Sequence, residues 1–315
     1  MSGRRFSGWV LPLLMLGVLV TLFLLLNVYP AHAQQRPELL EMSVISREAD
    51  GSSWANVRQG MEQAAADLHV ELRFLYPGQS NSSQEQSQLL RREVESGASA
   101  ILLFPADREA MAKDVEEASG RAALVTLETD MAGTAGYVGV DNRALGEALG
   151  NAALNGARPG ETVLLLDSAP GGSGVGQRLA AAEALLEDEG RETRRFSGTA
   201  EALSEALAGE DVRAAIAFEA SELERAAAAV SRLERPPLLY GAGSTAVIAA
   251  GLEQGRITSA VAQNAFSAGY LAVEAAARLA RREAAEPLEL LPFFTVRREN
   301  MYEPEYQKLL FPVTW

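Results

Sequence analysis

Few side chains in this 315-residue sequence can do covalent chemistry. It has no Cys, which removes disulfides, thiolate nucleophiles, zinc–sulfur sites and a lipidated N-terminal Cys. Its two His are His32 and His69. A Ser-His-Asp triad or a multi-histidine metal site would have to be built on His69 alone, at the end of an amphipathic run. The segment Gly171-Gly172-Ser173-Gly174-Val175-Gly176 follows an apolar strand and precedes a helix, the setting of a phosphate-binding loop. It lacks the GxGxxG spacing and the P-loop Lys, and no acidic ribose-binding residue stands downstream. It reads as a flexible loop at a cleft, as does Gly241-Ala242-Gly243-Ser244. No catalysed reaction, cofactor or metal is expected. Charge removes a further class: 28 Lys and Arg against 42 Asp and Glu is the wrong balance for a nucleic-acid partner.

Binding remains, and the elements that could position a ligand are regular. Residues 43–46 form a short apolar-leaning strand, and 47–53 a loop with Gly, Asp and two Ser. Trp54, Val57, Met61, Ala64, Ala65 and Leu68 then follow helical spacing. Trp54 therefore stands at the mouth of a helix beside the carboxyl end of a strand, where ligands bind in open α/β sheets. The unit repeats. Strands are predicted at 70–76, 100–104, 122–127 and 137–140, with helices at 83–95 and from Asp107 through 118. Asp141-Asn142 caps a helix to 154, and the turn 155–160 restarts the pattern. Strands follow at 162–167, 193–196, 214–218, 238–240 and 258–262, with helices at 175–189, 200–208, 223–233 and 246–253. A long Ala-rich helix at 266–282 and one more strand at 288–296 come next, and 299–315 carries aromatics without a clear period. Such alternation gives an α/β fold of two doubly wound halves with parallel sheets and right-handed crossovers.

At the other end of the chain, Arg4 and Arg5 precede an almost unbroken apolar run at 9–29, which delivers the protein to a membrane. Two fates are open. Ala31-His32-Ala33 after Pro30 has the small-x-small form of a signal-peptidase site. The run is also long enough to cross ~30 Å of hydrocarbon as a retained helical anchor. Arg4-Arg5-Phe6 has the form of a twin-arginine signal or is simple positive charge. On every one of these readings the folded part lies outside the cytoplasm.

Four successive stretches resemble a known family: Gln59-Gly60-Met61-Glu62-Gln63-Ala64-Ala65, Ala100-Ile101-Leu102-Leu103-Phe104-Pro105-Ala106-Asp107, Tyr137-Val138-Gly139-Val140-Asp141-Asn142, and Ala260-Val261-Ala262-Gln263-Asn264-Ala265-Phe266-Ser267-Ala268-Gly269-Tyr270. Their order is similar to that in the sugar-binding type I periplasmic solute-binding proteins, over about residues 42–296. The resemblance implies two Rossmann-like lobes joined by a three-stranded hinge, with the ligand held between them. Residues 41–141 plus 264–284 would form the N-terminal lobe and 142–263 plus 285–297 the C-terminal lobe. Residues 1–33 would be the leader, 34–40 a linker and 298–315 a tail, with hinge crossings near Asp141, Gln263 and Glu286.

The same resemblance implies a site. Arg178 matches an arginine that donates to sugar hydroxyls or an anionic group, and Gln263 a hinge glutamine able to donate and accept. Trp54 falls where an aromatic stacks on the sugar ring, or else it is a core tryptophan; Ser53 replaces a second aromatic. Asp50 lies near a polar residue that precedes those aromatics. Departures are as informative. An Asp-Arg pair becomes Glu128-Thr129, Glu219 replaces an Asn, and Ala242 a hinge aspartate. His69 replaces a glycine at a left-handed helix cap. An arginine lost and an acid gained leave the cleft more negative, so a ligand with amino groups stands beside a neutral sugar, unless Glu128 and Glu219 pair with Arg178.

The expected role is capture of a small polar ligand, a sugar first, and its delivery to an ABC-type permease. The alternative keeps the fold and makes the protein a membrane-anchored sensor presenting ligand to a histidine kinase or receptor. Hydrolysis by Glu128 with Glu219 would need two carboxylates at a fixed separation, which nothing in the sequence requires. The related repressor fold would need a helix-turn-helix where this chain has its apolar run. The tail, with Tyr302, Tyr306, Phe311 and Trp315, reads as a strap on the lobes or a docking surface.

Overall fold

The computed structural model describes residues 10–28, 39–48 and 54–310. Asp50 and Ser53, and with them His32 and the 31–33 cleavage motif, lie outside the described residues, as do Trp9, Phe311 and Trp315. The chain divides into a unit ending at Leu39 and a unit starting at Leu40. The first holds helix α1 (Val10–Val28), whose described side chains, Leu14 to Phe23, are all exposed. Among the described residues no helix is long and apolar enough to cross a membrane, the described side chains of α1 being those ten.

The second unit begins with β1 (Leu40–Ile45), α2 (Ala55–Leu68), β2 (Val70–Leu75), α3 (Ser83–Glu95), β3 (Ala100–Leu103), α4 (Arg108–Ser119), β4 (Ala123–Leu127) and β5 (Gly136–Gly139). It continues with α5 (Asn142–Leu154), β6 (Thr162–Leu166), α6 (Gly174–Asp188), β7 (Glu192–Phe196), α7 (Ala200–Leu207), β8 (Val212–Ala217), α8 (Ala220–Val230), β9 (Leu238–Ala242), α9 (Ala246–Glu253) and β10 (Ser259–Gln263). The last elements are α10 (Ala265–Ala280), β11 (Leu288–Leu290), β12 (Phe293–Val296) and α11 (Pro304–Leu310).

These strands make two six-stranded sheets, β11-β5-β4-β3-β1-β2 and β12-β10-β9-β8-β6-β7, parallel except where β12 runs antiparallel to β10. Each sheet is covered on both faces, which is why its strands read as continuous apolar runs. Successive residues of β6 show the two-residue period: Val163 and Leu165 enter one core with α5 and α6, Leu164 and Leu166 the other with α7, α8, α9 and α11. In the first sheet Ala100 and Leu102 face α2 and α10, while Ile101 and Leu103 face α3 and α4.

Caps start the helices at the strands' carboxyl ends. Asp107 accepts from the backbone N–H groups of Glu109 and Ala110, Asp141 from Ala144, and Ser173 from Gly176. His69 takes the expected left-handed cap, with φ 57°.

The chain passes between the sheets after β5 at Asp141, after β10 at Asn264, and between β11 and β12. The last crossing corrects two expectations. Residues 288–296 are two strands in different sheets, and the crossing falls at Leu291-Pro292, beyond Glu286. Pro292 carries no N–H for a ladder, so the run breaks there, and 288–290 join the first lobe's sheet next to β5. The tail is also more regular than expected. Met301, Leu309 and Leu310 are buried in the second lobe's core, and Tyr306 packs edge-on to Phe294, centroids 6.0 Å apart.

Close helix pairs brace each lobe. A Cβ at Gly60 of α2 would lie 1.9 Å from the Phe266 carbonyl oxygen of α10. Gly60→Ala is therefore expected to lower stability by about 1–3 kcal/mol, seen as a fall of roughly 2–4 °C in Tm per kcal/mol. Gly120→Ala, whose Cβ would meet nothing closer than 3.8 Å, should leave Tm nearly unchanged.

Candidate functional site

Between the carboxyl ends of the two sheets lies a cavity of about 130 Å³. It has room for on the order of ten water-sized groups. Trp54, Glu128, Arg178, Glu219 and Gln263 all line it. Thr129 does not: it is sealed from solvent, its hydroxyl donating to the Pro105 carbonyl at 3.0 Å and accepting from the Gly174 N–H at 2.9 Å. It links the lobes instead of facing a ligand.

Trp54 is 6% exposed and part of the first lobe's core, and it also walls the cavity. Phe104, at the end of β3, meets it edge-on with centroids 4.3 Å apart. That second aromatic stood in the quoted Ile-Leu-Leu-Phe-Pro stretch, at a strand's carboxyl end, without being assigned to the site.

Two buried polar atoms in the cavity have no hydrogen-bond partner: Nη2 of Arg178 and Oε1 of Gln263. The rest of Arg178 is fixed. Its Nε donates to Asn142 Oδ1 at 2.8 Å and its Nη1 to the Phe218 carbonyl at 3.0 Å, which leaves Nη2 to turn inward, 3.7 Å from Glu128 Oε1. An unpartnered donor and an unpartnered acceptor on residues that line the cavity are the complement of a polyol hydroxyl, which both accepts and donates.

The residue that dominates the electrostatics is Arg47, which the sequence reading left in a polar loop. Its side chain is 4% exposed. Nε donates to Glu128 Oε2 at 2.5 Å, Nη1 to Asn81 Oδ1 at 2.9 Å, and Nη2 contacts Glu219 Oε2 at 2.5 Å and Glu48 Oε1 at 2.8 Å. The expected pairing of both acids with Arg178 is thus replaced by Arg47, with Arg178 at the edge of Glu128. Burial works against the Arg47 charge, but Glu128, Glu219 and Glu48 outweigh it and hold the guanidinium protonated. The signal that could have found Arg47 is its place, directly after β1 at the binding edge of the sheet.

Glu48 completes the group. Burial, then the neighbouring Glu219 and Glu128, push its carboxyl up to about 8 despite Arg47. For Glu219 burial acts the same way, but Arg47 and hydrogen bonds from Glu48 and Ser168 prevail and lower it. With Glu48 protonated, the described lining residues carry two guanidiniums and two carboxylates; Asp50 lies outside the described residues.

Glu128 is placed by unusual backbone. Its φ is 61°, a left-handed conformation that costs an ordinary residue about 1–3 kcal/mol. The turn points its carbonyl at Asn142 Nδ2, 2.7 Å away on the second lobe, and leaves its carboxylate on Arg47. The glycine-rich loop packs against the same place. A Cβ at Gly174 would lie 2.1 Å from the Glu128 carbonyl oxygen, and one at Gly172 2.9 Å from the Asp107 carboxylate. Gly172 and Gly174 therefore permit a close approach of the two lobes. The lobes also meet through Asn81 Nδ2 on the Ser168 carbonyl at 3.1 Å and Asn56 Nδ2 on the Ser244 carbonyl at 3.2 Å.

Removing one partner of a buried ion pair strands the other. Arg47→Met should cost about 3–5 kcal/mol of stability, read by urea unfolding, and Arg47→Met/Glu219→Gln should recover part of that loss.

Residues 43–284 match the family model for a periplasmic binding protein domain. Similar solved structures include a carbohydrate-transporter solute-binding protein from Agrobacterium radiobacter in complex with D-arabinose, 18% identical with a TM-score of 0.79 over 87% of this chain and 99% of that one. An ABC transporter solute-binding protein from Agrobacterium vitis with bound D-fucose is 18% identical, with a TM-score of 0.75 over 86% and 100%. GanP, a glucose-galactose binding protein from Geobacillus stearothermophilus, is 20% identical, with a TM-score of 0.73 over 84% and 99%. No curated protein matches the sequence. With the family model spanning both lobes and the chain crossing between two α/β sheets, this protein belongs to the periplasmic binding protein domain family and has its type I fold.

Proposed function

We propose that this protein captures a neutral monosaccharide outside the cytoplasm and delivers it to an ABC-type transporter, by closing two lobes around it. The observation that carries this reading is the pair of unpartnered atoms, Arg178 Nη2 and Gln263 Oε1, in a cavity walled by Trp54 and Phe104. Among the described lining residues Arg47 and Arg178 balance Glu128 and Glu219 when Glu48 is protonated, which favours an uncharged ligand over an amine or a sugar acid. Room for on the order of ten water-sized groups suits a pentose. The similar structures with bound sugars support the class and leave the particular sugar to experiment. Ligand touching both lobes stabilises only the closed form, which is the capture mechanism. Asp50 and Ser53 remain proposed contacts from the loop between β1 and α2.

A second reading has one observation in its favour. A similar structure is described as the XylFII-LytSN complex, 16% identical with a TM-score of 0.75; it holds this fold in complex with a second protein. On that reading the protein is a sensor anchored by its apolar N-terminal segment, presenting ligand to a membrane receptor or histidine kinase. N-terminal sequencing of the mature protein separates the two, because a chain beginning after Ala33 has no anchor.

A thermal-shift series on the full chain in detergent tests the capture reading. A cognate sugar at 100 times its Kd should raise Tm by roughly 5–10 °C, with D-arabinose, D-fucose, D-glucose and D-galactose as first probes. A shift with amines alone would overturn it. Gln263→Met removes the open acceptor. It should weaken sugar binding about tenfold while the ligand-free protein becomes no less stable, since a buried unpartnered group is lost.

A further inference from the structure

We propose that Asn155-Gly156, far from the cleft at the end of α5, is a spontaneous modification site that loses ammonia to become aspartate or isoaspartate, and that Arg191 sets its rate by holding the turn. It is the only Asn-Gly step in the sequence. Glycine matters because it has no Cβ to shield its backbone nitrogen. That nitrogen attacks Asn155 Cγ. The new N–C bond closes a five-membered succinimide, the Cγ–Nδ2 bond breaks, and Nδ2 leaves as ammonia with the proton given up by the Gly156 N–H. Water then adds to either ring carbonyl and opens the ring, giving aspartate from one and isoaspartate from the other. Water is the only co-reactant.

The side chain is open to water, but the backbone is held away from reaction. Asn155 is exposed and follows α5 with ψ −18°. Near that angle the Gly156 nitrogen eclipses the nitrogen of Asn155. Ring closure needs it to eclipse Cβ instead, so the Cα–C bond must rotate. Rotation breaks two bonds at once, those from the Gly156 and Ala157 N–H groups to the Ala153 carbonyl at 2.9 and 3.0 Å. The leaving nitrogen, Nδ2 of Asn155, is itself engaged, donating to the Asn151 carbonyl at 3.0 Å. Gly156 is also wedged on one side, where a Cβ would lie 2.3 Å from the Tyr240 hydroxyl oxygen.

Arg191, half-buried between α6 and β7, spans this turn. Its Nε donates to the Ala157 carbonyl at 3.1 Å and its Nη2 to the Leu154 carbonyl at 3.5 Å, while Nη1 is fixed on the Glu189 carbonyl. One guanidinium thus ties the backbone on both sides of the Asn155–Gly156 bond, and it supplies a partner that the last carbonyls of a helix otherwise lack. Arg213 adds a single bond, Nε to the Gly156 carbonyl at 3.2 Å. Reaction therefore draws only on the molecules whose turn is open. The product fits the turn less well: a carboxylate there meets the negative pole of α5, and isoaspartate lengthens the backbone beside Tyr240.

Peptide mapping by mass spectrometry tests this on the full chain in detergent at mildly alkaline pH, following the mass gained at position 155 as the amide becomes an acid. Folded wild type should react at least about tenfold more slowly than the same chain in guanidinium chloride. Arg191→Met should raise the folded rate about tenfold, the worth of one charged hydrogen bond, and leave the denatured rate unchanged. Amide hydrogen exchange in β6 should stay as in wild type. No modification at Asn155 in either state overturns the proposal, as does a folded rate equal to the denatured one. An Arg191→Met rate equal to wild type, or a rise accompanied by faster exchange in β6, overturns the role of Arg191. Should Arg191→Met not fold, Arg213→Met replaces it, with a smaller rise expected and an unchanged rate overturning the clamp. No ligand enters the measurement, so its failure would leave sugar capture standing.

Discussion

A guanidinium sealed from water cannot stand alone, and the cleft is arranged around that constraint at Arg47. Taking the charge out of solvent costs several kcal/mol, which only closely placed acceptors can offset. They come from four places in the chain: Glu48 beside it, Asn81 after β2, Glu128 after β4 and Glu219 before α8. The first three belong to one lobe and the last to the other. The group is therefore complete only when the lobes are together, and the same contacts fix the position of the two acids that line the cavity. Arg178 is held by separate means, on Asn142 and Phe218, which leaves its Nη2 without a hydrogen-bond partner.

The two buried arginines of the cleft differ in how they are held. All three nitrogens of one guanidinium are bonded within the protein, to groups of both lobes; the other keeps its Nη2 without a hydrogen-bond partner at the cavity wall. The aromatic pair Trp54 and Phe104 supplies an apolar surface beside it.

Much of this architecture could be read from the chain because it is local. Doubly buried strands appear as apolar runs, and Asp107, Asp141 and Ser173 mark helix starts with their own side chains. What could not be read is pairing at a distance. Arg47 and Glu219 lie 172 residues apart, and in an acidic sequence a lone Arg followed by Glu looks like solvated surface charge. Thr129 failed for the same reason: its partners, Pro105 and Gly174, are set by the approach of one lobe to the other. The break at Pro292 was visible in principle, but nothing local says that the residues on its two sides join different sheets. The short α11 has too few residues for a periodic signal.

That last helix has a practical meaning. Leu309 and Leu310 are buried in the core of the second lobe alone, so α11 is firmly attached to one lobe and not the other. A fluorescent protein joined beyond residue 310 would ride with that body. Paired with a dye on the first lobe, it would turn any change in the distance between the lobes into an optical signal without touching the cleft.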